Sequence, residues 1–152
     1  MTSMQDTDLA DLRNCYARLL AICNLLEGIA DGLPNDIPRV HCQMLADSLV
    51  NELEITHTIE DQVLMPRLLA TKLPSLRQTA GRLRQEHELD KQAAMEVEDS
   101  LCDLIVGGNF LSADATGYLL RSFFESVRRH VHAEQNLLHM MEVIAPNNRS
   151  LH

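Results

Sequence analysis

The sequence predicts an all-α chain, an up-down-up-down antiparallel four-helix bundle, on two observations. Apolar residues recur at alternating steps of three and four along four long stretches, which is the spacing of one buried stripe on a helix. The Gly and Pro residues fall almost entirely between those stretches or near their ends, where helices stop. No stretch alternates with the period of a strand. Short loops between amphipathic helices favour antiparallel neighbours.

The first helix is expected from about Thr7 to Asp31, on Leu9, Leu12, Tyr16, Leu19, Cys23, Leu26 and Ala30. Gly32 and Pro34 stop it, and Asn35, Asp36 and Pro38 start the second, which runs to about Leu69. Its stripe is Leu49, Leu53, His57, Glu60, Leu64 and Leu68. Pro74 breaks the chain, and Ser75 followed by Gln78 reads as a capping box for the third helix. That helix carries Leu76, Ala80, Leu83, His87, Asp90, Ala94, Val97, Leu101 and Leu104, and ends at Gly107–Gly108. Ser112 or Asp114 can cap the fourth, with the stripe Leu120, Phe123, Val127, His130, Glu134, Leu137, Met141 and Ile144. The whole reads as a single domain over residues 1–152, with its core over about 7–144 and a flexible tail over 145–152.

A chain of 152 residues can bury one core of its own. With two Tyr, three Phe and no Trp, that core must be built from Leu, Ile, Val, Ala and Met. A formal net charge of −9 with scattered Lys and Arg excludes a phosphate-binding surface, hence nucleic acid, and equally an anionic membrane surface. No apolar run approaches the roughly 18 residues of a membrane span. Met1 to Leu9 lacks the basic and apolar parts of a signal peptide. Cys15, Cys23, Cys42 and Cys102 form no CxxC pair and read as small core residues in a reducing cytoplasm.

Three of the stripes carry an anomaly. The second, third and fourth helices place His and carboxylate residues in the middle of an otherwise apolar face. Burying ionisable groups costs several kcal/mol unless they are paired or hold a metal. His57 with Glu60 or Asp61, and His130 with Glu134, have the spacing that puts both side chains on one helix face. His87 has Asp90 one turn further on. The levels agree too. His57 and His87 each lie about 15 residues from the middle of the loop between their helices, about 22 Å along the axis. His87 and His130 lie about 20 residues either side of the next loop. Imidazole and carboxylate donors without thiolates suit Fe, Mn or Zn. Glu or Asp paired with His in a bundle core is a common di-iron arrangement. His41, His132, His139 and His152 fall off this level or off this face and are left out.

The sequence at this point resembles the hemerythrin-like, HHE cation-binding family, over about Leu9 to Ile144. The segments that carry the resemblance are His57-Thr-Ile-Glu60-Asp61-Gln-Val-Leu-Met-Pro66, Gln85-Glu-His87-Glu and Arg129-His130-Val-His-Ala-Glu134-Gln. The resemblance implies a hemerythrin-like bundle with His57, His87 and His130 as iron ligands. It also implies bridging carboxylates from Glu134 and from Glu60 or Asp61. This chain departs from the family pattern in its first helix, which has no His; Tyr16 stands at the matching height, with Cys15 beside it. Lys91 occupies the turn of the third helix where oxygen carriers have a second His.

The leading expectation is a protein holding one or two non-haem irons, with Mn or Zn as substitutes, that binds or senses O2, NO or redox state. Tyr16 or water fills the position of the missing His. Two other readings are open: a di-iron enzyme or iron donor of the peroxidase-like or cluster-repair kind, and a metal-free regulatory bundle. The chain has no GxSxG elbow, P-loop or Ser–His–Asp order to favour catalysis. The expected partner is a small diatomic ligand, and a homodimer is compatible with the sequence.

Overall fold

The computed structural model describes residues 4–150, and the side chains of residues 8–143. The chain forms α1 (Met4–Gly32), α2 (Arg39–Ile59), a π-helical turn (Glu60–Leu64), α3 (Met65–Ala70), α4 (Pro74–Ile105) and α5 (Ala113–Ser150). There is no strand among the described residues. The backbone stays helical from α2 through the π turn into α3, so these three make one rod. The rods close a ring: α1 lies against α2 and α5, and α4 against α2, α3 and α5. No described helix is long and apolar enough to cross a membrane. The expected tail over 145–152 falls, apart from the helical backbone to Ser150, outside the described residues.

The helix ends follow local chemistry, with one difference from expectation. Pro74 begins α4 instead of merely breaking the chain. It occupies the first turn, where a missing N–H is harmless, and Leu73 sits at the N-cap with no side-chain cap. Ser75 is therefore already inside the helix and does not form the expected capping box. At the start of α5, Ser112 Oγ accepts the Ala115 N–H at 3.1 Å, so Ser112 is the cap in preference to Asp114. The end of α4 is a Schellman turn: Gly108 N–H donates to the Asp103 carbonyl and Gly107 N–H to Leu104, with Gly107 at φ 70°.

The expected stripes form most of the core. In α1, Leu12, Tyr16, Leu19, Cys23, Leu26 and Ala30 are buried, and in the second rod Leu49, Leu53, Glu60, Leu64 and Leu68. In α5 the expected Leu120, Phe123, Val127 and Glu134 are buried, joined by Phe124, and beyond Val127 the line shifts by one residue to Val131 and Leu138. His130, Leu137 and Met141 lie on the flank, half-buried. An apolar doublet, Phe123–Phe124, and a second, Leu137–Leu138, make the face ambiguous by one residue.

Polar clamps fix the pairing along the rods. Arg128 donates to Glu27 (2.9 Å) and Asn24 (2.8 Å) while its guanidinium sits 4.8 Å over Phe124. Arg121 pairs with Asp31, and Arg13 with Glu142. On the other side Lys91 pairs with Glu54 at 2.9 Å, and Glu98 accepts the Val50 N–H at 3.2 Å.

Two glycines should respond oppositely to alanine. Gly107 adopts a left-handed conformation that costs a Cβ-bearing residue about 1–2 kcal/mol. Gly28 lies exposed inside α1 with nothing within 4 Å of an added Cβ. Gly107→Ala should lower stability by about 1 kcal/mol, a Tm fall of about 2–4 °C, while Gly28→Ala should raise it by about 0.5–1 kcal/mol. Thermal unfolding of both variants checks the signs.

Candidate metal centre

The centre is built where the second rod departs from α-helical geometry. Pro66 has no N–H to return to the chain one turn earlier, and its ring crowds the carbonyl there. The π turn at Glu60–Leu64, directly before it, absorbs this conflict by widening one turn. The result is three consecutive buried residues, Val63, Leu64 and Met65, which a regular helix could not all point inward. Glu60 continues the buried line of Leu49, Leu53 and Thr56 and faces inward with 1% of its surface exposed, while Asp61 lies outside with its side chain 55% exposed. The alternative between Glu60 and Asp61 thus has a geometric answer in burial: Glu60 occupies the core.

Three donors converge. One nitrogen of His57, one of His87 and a Glu60 oxygen all lie within 4.8 Å of one another. The His57 and His87 rings stack at 3.9 Å with 9° between their planes, as their common depth predicted. His87 Nε2 stands 3.5 Å from Glu60 Oε1, and Nδ1 stands 3.8 Å from Asp61 Oδ1. His87 Nε2 is nevertheless buried without a hydrogen-bond partner. A buried ring nitrogen left unsatisfied carries a free-energy penalty that an ion removes.

Around this trio stand Tyr16 and Glu134. The buried Tyr16 hydroxyl donates to Glu60 Oε2 at 3.2 Å. Glu134, 5% exposed, is buried beside them, close enough for its charge to act on both Glu60 and Tyr16. His130 stands apart from the trio. Its Nδ1 meets Asp90 Oδ2 at 2.9 Å, and its Nε2 faces Glu86 Oε2 at 3.9 Å. Sequence reasoning missed Glu86 and placed His130 on the core line; the one-residue shift in α5 that seats Val131 inside is what moves it to the flank. Asp90 holds an imidazole, as its spacing from His87 could not have told, because the ring it holds is on α5.

The electrostatics follow from burial. Desolvation pushes the Glu60 carboxyl up to about 7, against the hydrogen bonds from Glu134 and Tyr16. Glu134 is driven well above the usual carboxylate range by burial and by the Glu60 charge, so the two carboxyls hold on to protons that exposed ones would have lost. Tyr16 is held far from ionising, first by burial and then by the two carboxylates. Burial, with His87 beside it, lowers His57 to about 4, so that ring is a neutral donor at pH 7. His130 is raised, chiefly by its bond to Asp90.

The donor set fits a divalent cation. Two neutral or neutralisable imidazoles and two buried carboxyls supply N and O ligands of borderline hardness. An ion there would relieve the orphaned His87 nitrogen and the repulsion between the glutamates together. Neighbouring carboxylates that orient the imidazoles, Asp61 on His87 and Asp90 on His130, are usual around such sites.

These features are those of a metal-binding helical bundle. The family model described as the hemerythrin HHE cation-binding domain matches residues 7–141, and the chain belongs to that family. No curated protein matches the chain, and no solved structure does.

Without metal, stability should fall as pH rises towards and through about 7. Folded Glu60 keeps its proton to about pH 7, whereas an unfolded one releases it near its ordinary value of 4.5. The folded form therefore binds the extra proton, and the stability that proton supports is lost as pH rises through about 7. His130, raised when folded, has the same sign. His57, lowered to about 4, works oppositely, but only below its ordinary value of 6.5. Between pH 6.5 and 8, chelator-treated protein should lose about 1 kcal/mol through Glu60. Glu60→Gln should abolish that share, and superimposable pH profiles of the two proteins would refute the assignment.

Proposed function

We propose that this chain is a non-haem iron protein whose bundle core binds one or two irons and senses or binds O2, NO or redox state. The observation that carries the reading is the buried, partnerless Nε2 of His87 facing Glu60 and His57. His57, His87 and Glu60 would hold the first ion, with Glu134 as the second carboxylate able to bridge. His130, held by Asp90, and Asp61 at the rim would complete a second position. Iron so held supplies a redox-active centre with coordination positions open to a diatomic ligand. Mn and Zn suit the same donors.

The chain's own groups set the conditions. Tyr16 acts through Glu60: its hydroxyl fixes the carboxylate plane from the side where a first-helix His is absent. The proton on Glu134 leaves when a cation arrives, so binding strengthens as pH rises. Leu12, Leu53, Leu64 and Val131 are buried in the same core and limit the access of water.

The up-down-up-down order goes with this reading. It is supported by the pairs Arg13–Glu142 and Arg121–Asp31 between α1 and α5, and by Glu54–Lys91 and Glu60–His87 between α2 and α4, whose numbers run in opposite senses. A reducing, cytoplasmic setting suits four free cysteines, three of them buried.

Metal content after anaerobic Fe(II) loading tests the proposal. Wild type should retain one or two irons per chain and develop charge-transfer absorption in air, while His87→Leu, which keeps an apolar core, should retain none. Absence of stoichiometric metal in the loaded wild type would overturn it. Tyr16→Phe separates positioning from ligation. It should weaken metal affinity about 10–100-fold and leave the visible spectrum of the oxidised protein in place. Loss of a visible band in that variant would make the phenol a ligand instead.

A further inference from the structure

We infer that the groove between α4 and α5 docks a basic amphipathic helix of a partner protein. The four rods are not packed equally: α4 and α5 approach each other far less closely than α1 and α5 or α2 and α4 do. The gap holds two open cavities of about 390 and 560 Å³, with Leu119 lining both. Meeting at Leu119, they follow one face of α4, from Glu86 and His130 at one end to Asp103 and Phe110 at the other, and are taken together as one trough. On α4 this spans 17 residues, from Glu86 to Asp103, about 25 Å at about 1.5 Å per residue. That is the length of a helix of between four and five turns.

The lining says which helix. Leu89, Ala93, Leu119, Phe123, Phe110 and Leu111 give the trough an apolar surface. Leu89 is 64% exposed and Phe110 89%, more than a side chain of a finished surface gains from. Its charged rim is of one sign: Glu86, Asp90, Glu96, Asp99 and Asp103, with no Lys or Arg lining either cavity. Apolar floor and acidic rim are complementary to a helix with Leu-like residues on one face and Lys or Arg flanking it. A second copy of this chain would bring an equally acidic trough to the contact, and like charges oppose that pairing. The trough is reached independently of the metal reading, although His130 and Asp90 border both.

A fluorescent 17-residue peptide of Leu and Lys, patterned as an amphipathic helix, is the probe, with a Leu and Glu peptide of the same pattern as control. Full-length protein should bind the basic peptide saturably by anisotropy, more weakly as salt is raised, and should ignore the acidic one. Glu96→Gln with Asp99→Asn, and separately the exposed Leu89→Ser, should each raise Kd by about fivefold or more. Asp11→Asn with Glu125→Gln, which removes the same charge away from the trough, should leave Kd unchanged. Equal weakening by the two charge pairs would reduce the binding to net charge and overturn the inference. So would a homodimer by sedimentation that Leu89→Ser dissociates, since a second copy would then fill the trough.

Discussion

The structure turns on two glutamates placed together inside a leucine core. Glu60 and Glu134 come from rods on different sides of the bundle and meet where water is excluded. Two carboxylates in such a place cannot both be charged, because their repulsion is undamped and neither is solvated. The chain alone offers a proton on Glu134 and a hydroxyl from Tyr16 as remedies. Both are partial, since a neutral acid in a Leu-rich core still gives up the packing an apolar residue would supply. A cation would be the complete remedy, and it would satisfy the buried His87 nitrogen in the same step. Metal affinity and fold stability are in this sense one quantity seen from two sides.

The π turn serves that arrangement. A regular helix through Glu60–Leu64 would continue the α2 stripe and bring Pro66 into conflict with the preceding turn. Widening one turn resolves the conflict and shifts the buried line beyond Glu60 to Leu64, Met65 and Leu68. Glu60 holds the interior as the continuation of Leu49, Leu53 and Thr56, and Asp61 stays at the rim beside His87. The proline thus sets the register of Met65 and Leu68, while Glu60 keeps that of α2. Its place in the sequence is legible, but its effect on register is not, because a π turn has no pattern of its own beyond the strain it relieves.

What the sequence carried, and what it lacked, divides along the same line. The α1 stripe, the common depth of His57 and His87 and the helix stops at Gly32 and Gly107 are local or periodic, and they transfer directly to the structure. The orientation of α5 beyond Val127 does not, since Phe123 and Phe124 are both buried and the doublet Leu137–Leu138 fits two faces 100° apart, of which packing selects Leu138 together with Val131. That choice decides whether His130 points into the core or rests on its flank beside Asp90. Ser75 and Gln78 fit a capping box, but Pro74 already has the fixed φ and missing N–H that suit the first helical turn. Tyr16 was located by height alone, and its bond to Glu60 needed the choice between Glu60 and Asp61 that burial makes.

The loose α4–α5 seam is the remaining asymmetry, and it bears on the centre. His130 sits at the seam with one ring nitrogen on Asp90 and the other toward Glu86, both from α4. To reach an ion beside Glu134, that ring must release at least one of these carboxylates or carry it along as the group that holds the opposite nitrogen. An occupant of the trough that draws α4 and α5 together, or engages Glu86 and Asp90, changes which of these arrangements is favoured. Occupancy of the core and of the trough would then be linked, each altering the affinity of the other by the same factor. The physical basis is a single imidazole shared between two neighbourhoods, without any long-range path through the bundle.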